Sequence, residues 1–429
     1  MAPDAVGAVP MSLIPTVGSL PPVEIEFLGG ASQVGRLGML LRIGTATLLF
    51  DYGMLPAKPP EYPLEAPPVD AAFLSHAHLD HSGMIPWLTA HHRTDVFATP
   101  PTLDVADLLL EDSLKVAAAE GFQAPFTSRD IEEARHYFQT IDFDETVEVG
   151  DVEVTFHSAG HIPGATMFEV NGHESVVFTG DLQTTSTDLV LGARPVKCDT
   201  LVIESTYAGR QHPDRLKTEY EFLQQVKSVV RIGGLVVVPS FAVGRTQEVL
   251  MCLARERFEV FLAGMGKSVN SIYVEHAGYV RSTQKLRQAM NRTRVVHSDR
   301  GVDRALGAEV IVCTSGMLDG GPVLRYVDAI KDDPNSAVLL TGYQIPGTNG
   351  RRLMDEGVLE VHGALVKPQF QVRKFDFSAH AGHDDLVRFV EGCDPTRVVL
   401  MHGDNRQALA DALPGRECLL PAEGQWYPL

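Results

Sequence analysis

The feature that most limits what this chain can fold into is the stretch Ser75-His76-Ala77-His78-Leu79-Asp80-His81. It follows the apolar run Ala71-Ala72-Phe73-Leu74, which reads as a strand ending in a polar loop. Imidazole and carboxylate together are borderline and hard ligands of the kind that hold zinc. A His-rich surface loop is the competing reading, but sixteen His in 429 residues do not reach that density by chance. One loop can feed His76 and His78 to one metal, and Asp80 and His81 to a second. It cannot complete either shell, so the fold must bring ligands from other loops. Three candidates each close a strand-like run: His161 in Ser158-Ala159-Gly160-His161, Asp181 in Phe178-Thr179-Gly180-Asp181, and His402 after Val398-Val399-Leu400-Met401. Each alone would be an ordinary strand-end residue. Together, His76, His78 and His161 would hold one metal, Asp80, His81 and His402 a second, with Asp181 bridging. A metal pair about 3.5–4 Å apart clamps the attacking and leaving oxygens of a displacement. Asp51, closing the run ATLLFD, is placed to orient a ligand histidine from behind.

The rest of the chain says how such loops could converge. VEIEFL, GMLLRI and ATLLFD are short β-rich runs between Gly-containing turns, as in a meander beginning at Val23. An amphipathic helix is expected from about Thr102, and a second one with a capping box formed by Asp130 and Glu133. VEVGDVEVTFHS, TMFEV and SVVFTGD return to strands. From about residue 208 the rhythm becomes strand, Gly-rich turn, helix, in GLVVVPSFAVGRTQEVLMCLA, EVIVCTSGMLDGGPVLRYV and AVLLTGYQIPGTNGRRLM. That alternation argues a parallel α/β unit. After about residue 372 short strands and loops resume. The expected plan is a leader (1–22), a first domain (23–207), an inserted domain (208–372) and the return of the first (373–429). The Pro-rich stretch from Lys58 to Asp70 is read as a connector.

Composition narrows the function. Lys and Arg number 36 against 55 Asp and Glu, a net charge of −19. A generic basic nucleic-acid coat is excluded, and a polyanion must be held by a local patch or by metal ions. Five scattered cysteines without a CxxC pair read as free thiols in a reducing compartment. No apolar run approaches the roughly 18 residues of a membrane span, and the first residues lack the basic start of a signal peptide. A soluble, cytoplasmic protein is expected. Gly264-Met265-Gly266-Lys267-Ser268 invites a phosphate-loop reading, but Phe261 stands where that motif needs its first Gly. No nucleotide cofactor is expected. Gly244-Arg245-Thr246 opens a helix whose free N–H groups favour a phosphate.

The ligand set resembles the metallo-β-lactamase superfamily, and more narrowly the β-CASP nucleases. That group carries an acid after a strand, matched by Glu204 in Val202-Ile203-Glu204-Ser205-Thr206-Tyr207. It carries a His matched by His380 in Phe377-Ser378-Ala379-His380-Ala381, and another matched by His402 in Met401-His402-Gly403-Asp404. SFAVGRTQE, TSGMLDGGP and GYQIPGTNGRRL also look like the family. The resemblance spans about residues 23–410 and is nearest to the shorter archaeal or bacterial relatives of the polyadenylation-factor endonuclease. It implies an αββα sandwich interrupted by an inserted parallel α/β β-CASP domain, with two Zn²⁺ per chain. It implies hydrolysis of single-stranded RNA by a hydroxide held on both metals, leaving 5′-phosphate and 3′-hydroxyl ends. Endonuclease and 5′→3′ exonuclease modes both occur in the family. Asp80, Glu204 and His380 are the expected catalytic residues, with Glu204 orienting His380 as donor to the leaving oxygen. Ser378, Arg245, Arg351 and Arg352 are candidate phosphate contacts, beside Lys267, Arg373 and Lys374. Phe377, Tyr343 and Tyr207 could stack a base, while His91, His92, His157 and His383 are taken as structural. A homodimer through the C-terminal strands is a further family expectation. The rival readings are a DNA-processing member, whose third motif resembles a Val rather than His402, and a non-catalytic RNA-processing scaffold, which would lose ligands.

Overall fold

The computed structural model describes residues 22–429, so most of the expected leader lies outside the described residues. Two seven-stranded sheets face each other. The first runs in the order Trp426–Pro428, Glu24–Gly29, Gly38–Ile43, Ala46–Phe50, Ala71–Phe73, Val96–Ala98, Phe138–Thr140. The second runs Glu417–Leu419, Arg397–Met401, Thr200–Glu204, Ser175–Phe178, Thr166–Asn171, Val152–Ser158, Thr146–Val149. Alternating inward residues fill the space between them. Phe50, Phe73, Phe156, Phe168 and Phe178 are all fully buried there, and Phe50 meets Phe178 across the sheets at 5.2 Å between ring centres. Burying each such ring is worth about 1.5–3 kcal/mol. The outer faces are covered by helices, including Pro100–Glu120 on one side and His383–Cys393 on the other.

Between the two halves of this sandwich stands a six-stranded sheet whose pairs are all parallel, in the order Thr293–Val295, Val260–Ala263, Val310–Cys313, Val236–Pro239, Ala337–Leu340, Gln371–Lys374. Its interior strands are buried along their whole length, as sheets covered by helices on both faces require. This is the sandwich with an inserted parallel α/β unit that the sequence implies. Its last strand reaches Lys374, just beyond the expected return point.

Two local expectations need correction. The long helix begins at Pro100, because a proline is suited to a first turn that has no N–H partner to give up. The second capping box is formed by Thr127 and Asp130, not by Asp130 and Glu133. Asp130 Oδ2 accepts the Thr127 N–H at 2.7 Å and the Thr127 hydroxyl accepts the Asp130 N–H at 3.4 Å, so the acid is the third helical residue rather than the cap.

Parallel register positions the site. Phe50 pairs with Phe73, Phe178 with Val202, and Glu204 with Met401. The residues following these strands, Asp51, Ser75, Asp181, Ser205 and His402, therefore emerge along one rim of the sandwich.

Candidate metal centre

The rim is held by unusual backbone. Asp51 (φ 57°) and His402 (φ 51°) both sit in the left-handed region, which non-Gly residues rarely occupy and which clusters at functional sites. Gly180 adopts φ 55° just before Asp181, where a Cβ would come within 2.7 Å of the Ser75 side chain. Close backbone approach there lets the Asp181 carboxylate reach the histidine loop.

Three histidines gather on one side. His76 Nε2 and His161 Nε2 lie 3.0 and 3.2 Å from His78 Nδ1. Asp181 Oδ2 stands 3.6 Å from His76 Nε2 and 3.7 Å from His161 Nε2. The other oxygen of the same carboxylate, Oδ1, is 3.4 Å from His81 Nε2 and 3.6 Å from His402 Nε2. Asp80 Oδ2 closes this second set at 3.8 Å from His81 Nε2 and 3.7 Å from His402 Nε2. A tetrahedral ion with bonds of about 2.0–2.1 Å has ligand–ligand edges of about 3.3–3.4 Å, and these spacings fall around that value. His81 Nε2, His402 Nε2 and Asp181 Oδ1 are buried without a hydrogen-bond partner among the described residues. Such orphaned atoms are costly unless something polar or cationic satisfies them. The residues present fit a pair of metal ions.

Electrostatics sets His81 apart from the other ligand histidines. Burial, with the neighbouring imidazoles, holds His76 and His161 well below the usual histidine range, and burial also lowers His78 and His402. Neutral imidazole is the form that ligates. His81 goes the other way: burial opposes its charge, but Asp181, Asp51 and Asp80 outweigh burial and raise it well above that range. The carboxylates around His81 thus call for positive charge. Behind it, Asp51 Oδ2 accepts from His81 Nδ1 at 2.7 Å and from the Ser75 hydroxyl at 2.7 Å, and that hydroxyl is 3.0 Å from His76 Nδ1. Ser75 was missed by sequence reasoning, although it heads the histidine motif.

Glu204 and His380 meet beside the cluster. His380 Nδ1 donates to Glu204 Oε1 at 3.0 Å, and its Nε2 lies 3.8 Å from Asp181 Oδ2. Glu204 is fully buried and accepts the Leu182 N–H at 2.7 Å, which fixes its carboxylate. Burial alone would lower His380, but Glu204 and Asp181 outweigh it and push it up to about 9. The His380 N–H is taken by the Ser378 hydroxyl (3.1 Å), and Gln183 Nε2 donates to the His380 carbonyl (2.8 Å). Tyr207 places its ring 5.9 Å from that of His380. A second acid–histidine pair, Asp376 with His212 at 2.9 Å, supports this loop and was not anticipated, since nothing in the sequence couples two residues so far apart.

Other expectations scatter. Arg245 is half-buried beside Gly160, His161 and Ser378, and one of its amines donates to the Thr341 carbonyl. Arg351 is engaged by Asp355 of its own helix at 2.6 Å, and Arg352 by Glu360 of the strand that follows at 3.8 Å. Lys267 approaches His297 at 3.5 Å, and Arg373 donates to Gln225 at 2.6 Å. Phe377 is fully buried against Phe222 and cannot stack a base. His157 pairs with Glu169, and His383 Nδ1 accepts the Gly209 N–H.

A sandwich with paired histidine–acid sets at its rim defines a metal-dependent hydrolase of the metallo-β-lactamase type. The chain belongs to the β-CASP ribonuclease family within that superfamily. Residues 35–237 match the metallo-beta-lactamase superfamily, 246–353 the Beta-Casp domain, and 366–417 the Zn-dependent metallo-hydrolase RNA specificity domain. The chain is 32% identical over 406 residues to a probable RNase MJ4 of Methanocaldococcus jannaschii, covering 90% of this chain and 94% of that one. It is 33% identical over 419 residues to RNase aCSPSF2 of Saccharolobus solfataricus, covering 94% and 84%. A transcription termination factor FttA of Methanosarcina mazei is 32% identical over 431 residues, covering 90% and 67%. A crystal structure of a protein of unknown function from Enterococcus faecalis shares the fold, with TM-score 0.62 at 15% identity over 95% of this chain and all of that one. No helix among the described residues is long and apolar enough to cross a membrane.

Proposed function

We propose that this chain is a zinc-dependent ribonuclease that hydrolyses phosphodiester bonds of single-stranded RNA and leaves 5′-phosphate and 3′-hydroxyl ends. His76, His78 and His161 would hold one Zn²⁺, and Asp80, His81 and His402 a second, with one oxygen of Asp181 turned to each. Bound there, the ions would supply Lewis acidity toward the phosphate and hydroxide as nucleophile at neutral pH. Asp51 and Ser75 fix the tautomers of His81 and His76, so that the remaining ring nitrogens face inward. Glu204 accepts a hydrogen bond from the Nδ1–H of His380 and leaves the Nε2 proton pointed at the cluster. There it can pass to the departing 3′-oxygen, which is a poor leaving group unless protonated. The observation that carries this reading is His380 with one nitrogen 3.0 Å from Glu204 and the other 3.8 Å from Asp181. The relatives named as RNases and the match to an RNA specificity domain support RNA as substrate. The test is metal content of protein purified without chelator, together with cleavage of end-labelled RNA and of DNA of the same sequence. Close to two zincs per chain and cleavage of RNA alone are expected; equal rates on both polymers would overturn the RNA reading.

A further inference from the structure

The parallel sheet has a rim of its own. Open α/β sheets bind ligands beyond the carboxyl ends of their strands. Here Val236–Pro239 leads to Phe241, Val310–Cys313 to Gly316, and Ala337–Leu340 to Gly342, Tyr343 and Ile345. The first of these strands pairs with both of the others, so the three loops are neighbours. Phe241 and Ile345 are 37% and 41% exposed. The Phe241 ring rests on glycine: a Cβ on Gly316 would stand 3.3 Å from its Cδ2, and one on Gly342 3.3 Å from its Cε2. Bare backbone seats one side of the ring and leaves the rest open.

Beside it, Tyr343 has the Arg210 guanidinium 5.4 Å and the Lys374 amine 5.9 Å from its ring centre. Both cations are exposed, and neither has a carboxylate within ion-pair distance among the described residues. Together they make a small patch of unpaired positive charge around one ring. The patch adjoins the metal centre. The Arg210 N–H is accepted by the carbonyl of Tyr207, whose ring lies beside His380. Lys374 ends the strand from which the chain runs directly to His380.

We propose that Phe241 and Tyr343 form a base-stacking platform for an unpaired nucleotide of the RNA, with Arg210 and Lys374 taking the phosphates that flank it. The inference rests on the ribonuclease reading and gives its substrate a second point of attachment. Aromatic faces stack any base, so the platform is indifferent to sequence. It selects single strands, because a base inside a duplex has no free face. At 5.4 and 5.9 Å the two cations lie over the Tyr343 ring, and each can turn to a phosphate without breaking an ion pair.

The holoenzyme is titrated with fluorescent single-stranded oligoribonucleotides in which one abasic site is moved along the strand, and cleavage is followed separately. Wild-type affinity should fall roughly 5- to 100-fold at one or two positions set at a fixed distance from the cut, and little elsewhere. The double variant Phe241→Ala/Tyr343→Ala should lose as much on intact RNA and show no further loss at those positions. Phe241→Tyr and Tyr343→Phe should keep the dip, which separates stacking from a structural role. A flat profile in the wild type, or a dip that survives in the double variant, overturns the platform. Binding with the dip but without cleavage would remove the ribonuclease reading and leave the platform standing. Cleavage with a flat profile would do the reverse, and absence of RNA binding would overturn both.

Discussion

The two rims of this molecule solve different problems with opposite materials. At the sandwich rim nearly every polar atom is buried, charged neighbours are within 4 Å, and left-handed residues hold the loops. At the rim of the parallel sheet, Phe241 and two cations stand exposed, Tyr343 is half-buried, and glycines seat the Phe241 ring. The first is preorganised and intolerant. The second is open and graded, as a surface that must accept any base should be. The difference teaches that chemistry and grip can be tuned independently on one chain, and mutation should expose it.

The largest effect belongs to the shared carboxylate. Asp181→Ala removes the one group turned to both histidine sets, so metal content should fall below two and RNA cleavage should drop to background. Full activity in metal-depleted Asp181→Ala protein would refute the site. Next comes His380→Ala, expected to lose about 10²–10⁴-fold while both metals stay bound. An RNA with sulfur at the bridging 3′ position, whose leaving group needs no proton, should restore much of that rate in His380→Ala and none in Asp181→Ala. Asp51→Asn leaves every inward-facing nitrogen in place but disturbs the tautomer of His81. A 10–100-fold loss of metal affinity is expected, read by competition with a chromophoric chelator.

The smallest effect is a shift in pH dependence. His380, pushed up to about 9, keeps its proton below that pH and loses it as pH rises through that value. Donation to the leaving group therefore fades on the alkaline side, and bound dications would draw the limb lower. Glu204→Gln removes the leading charge that holds the proton. The alkaline limb of kcat should move to lower pH, by about 1 unit. An unchanged profile would mean that His380 is not the group being titrated. All four substitutions lie on the buried rim. Substitutions at the exposed rim should change KM more than kcat, and that contrast is what the comparison stands on.

The sequence made the sandwich rim legible because parallel strands in register deliver their next residues to one line. A His or Asp directly after an apolar run is thereby placed without knowledge of the loops. The arginines were a different matter. Arg351 and Arg352 look like free cations in a string, but their acids, Asp355 and Glu360, lie nearby and claim them. The Asp376–His212 pair was invisible because only tertiary folding joins residues 164 positions apart. So was the pairing of Trp426–Pro428 with Glu24–Gly29, which stitches the last described strand to the first. The capping box slipped by three residues because an Asp can serve either as cap or as its reciprocal partner, and only the position of Thr127 decides.

The insertion also fixes an order in time. Glu204 and His380 are 176 positions apart, and Thr206 and His402 are 196 apart, although each pair touches in the folded chain. A ribosome working from the N-terminus delivers six of the seven candidate metal ligands, through Asp181, and then Glu204, before it has begun the parallel sheet. His380 and His402 come only after that sheet has been made. Contacts of such long range form late. A nascent chain still tethered to its own messenger thus carries a half-built centre until the parallel sheet has been made and the chain has returned to the sandwich.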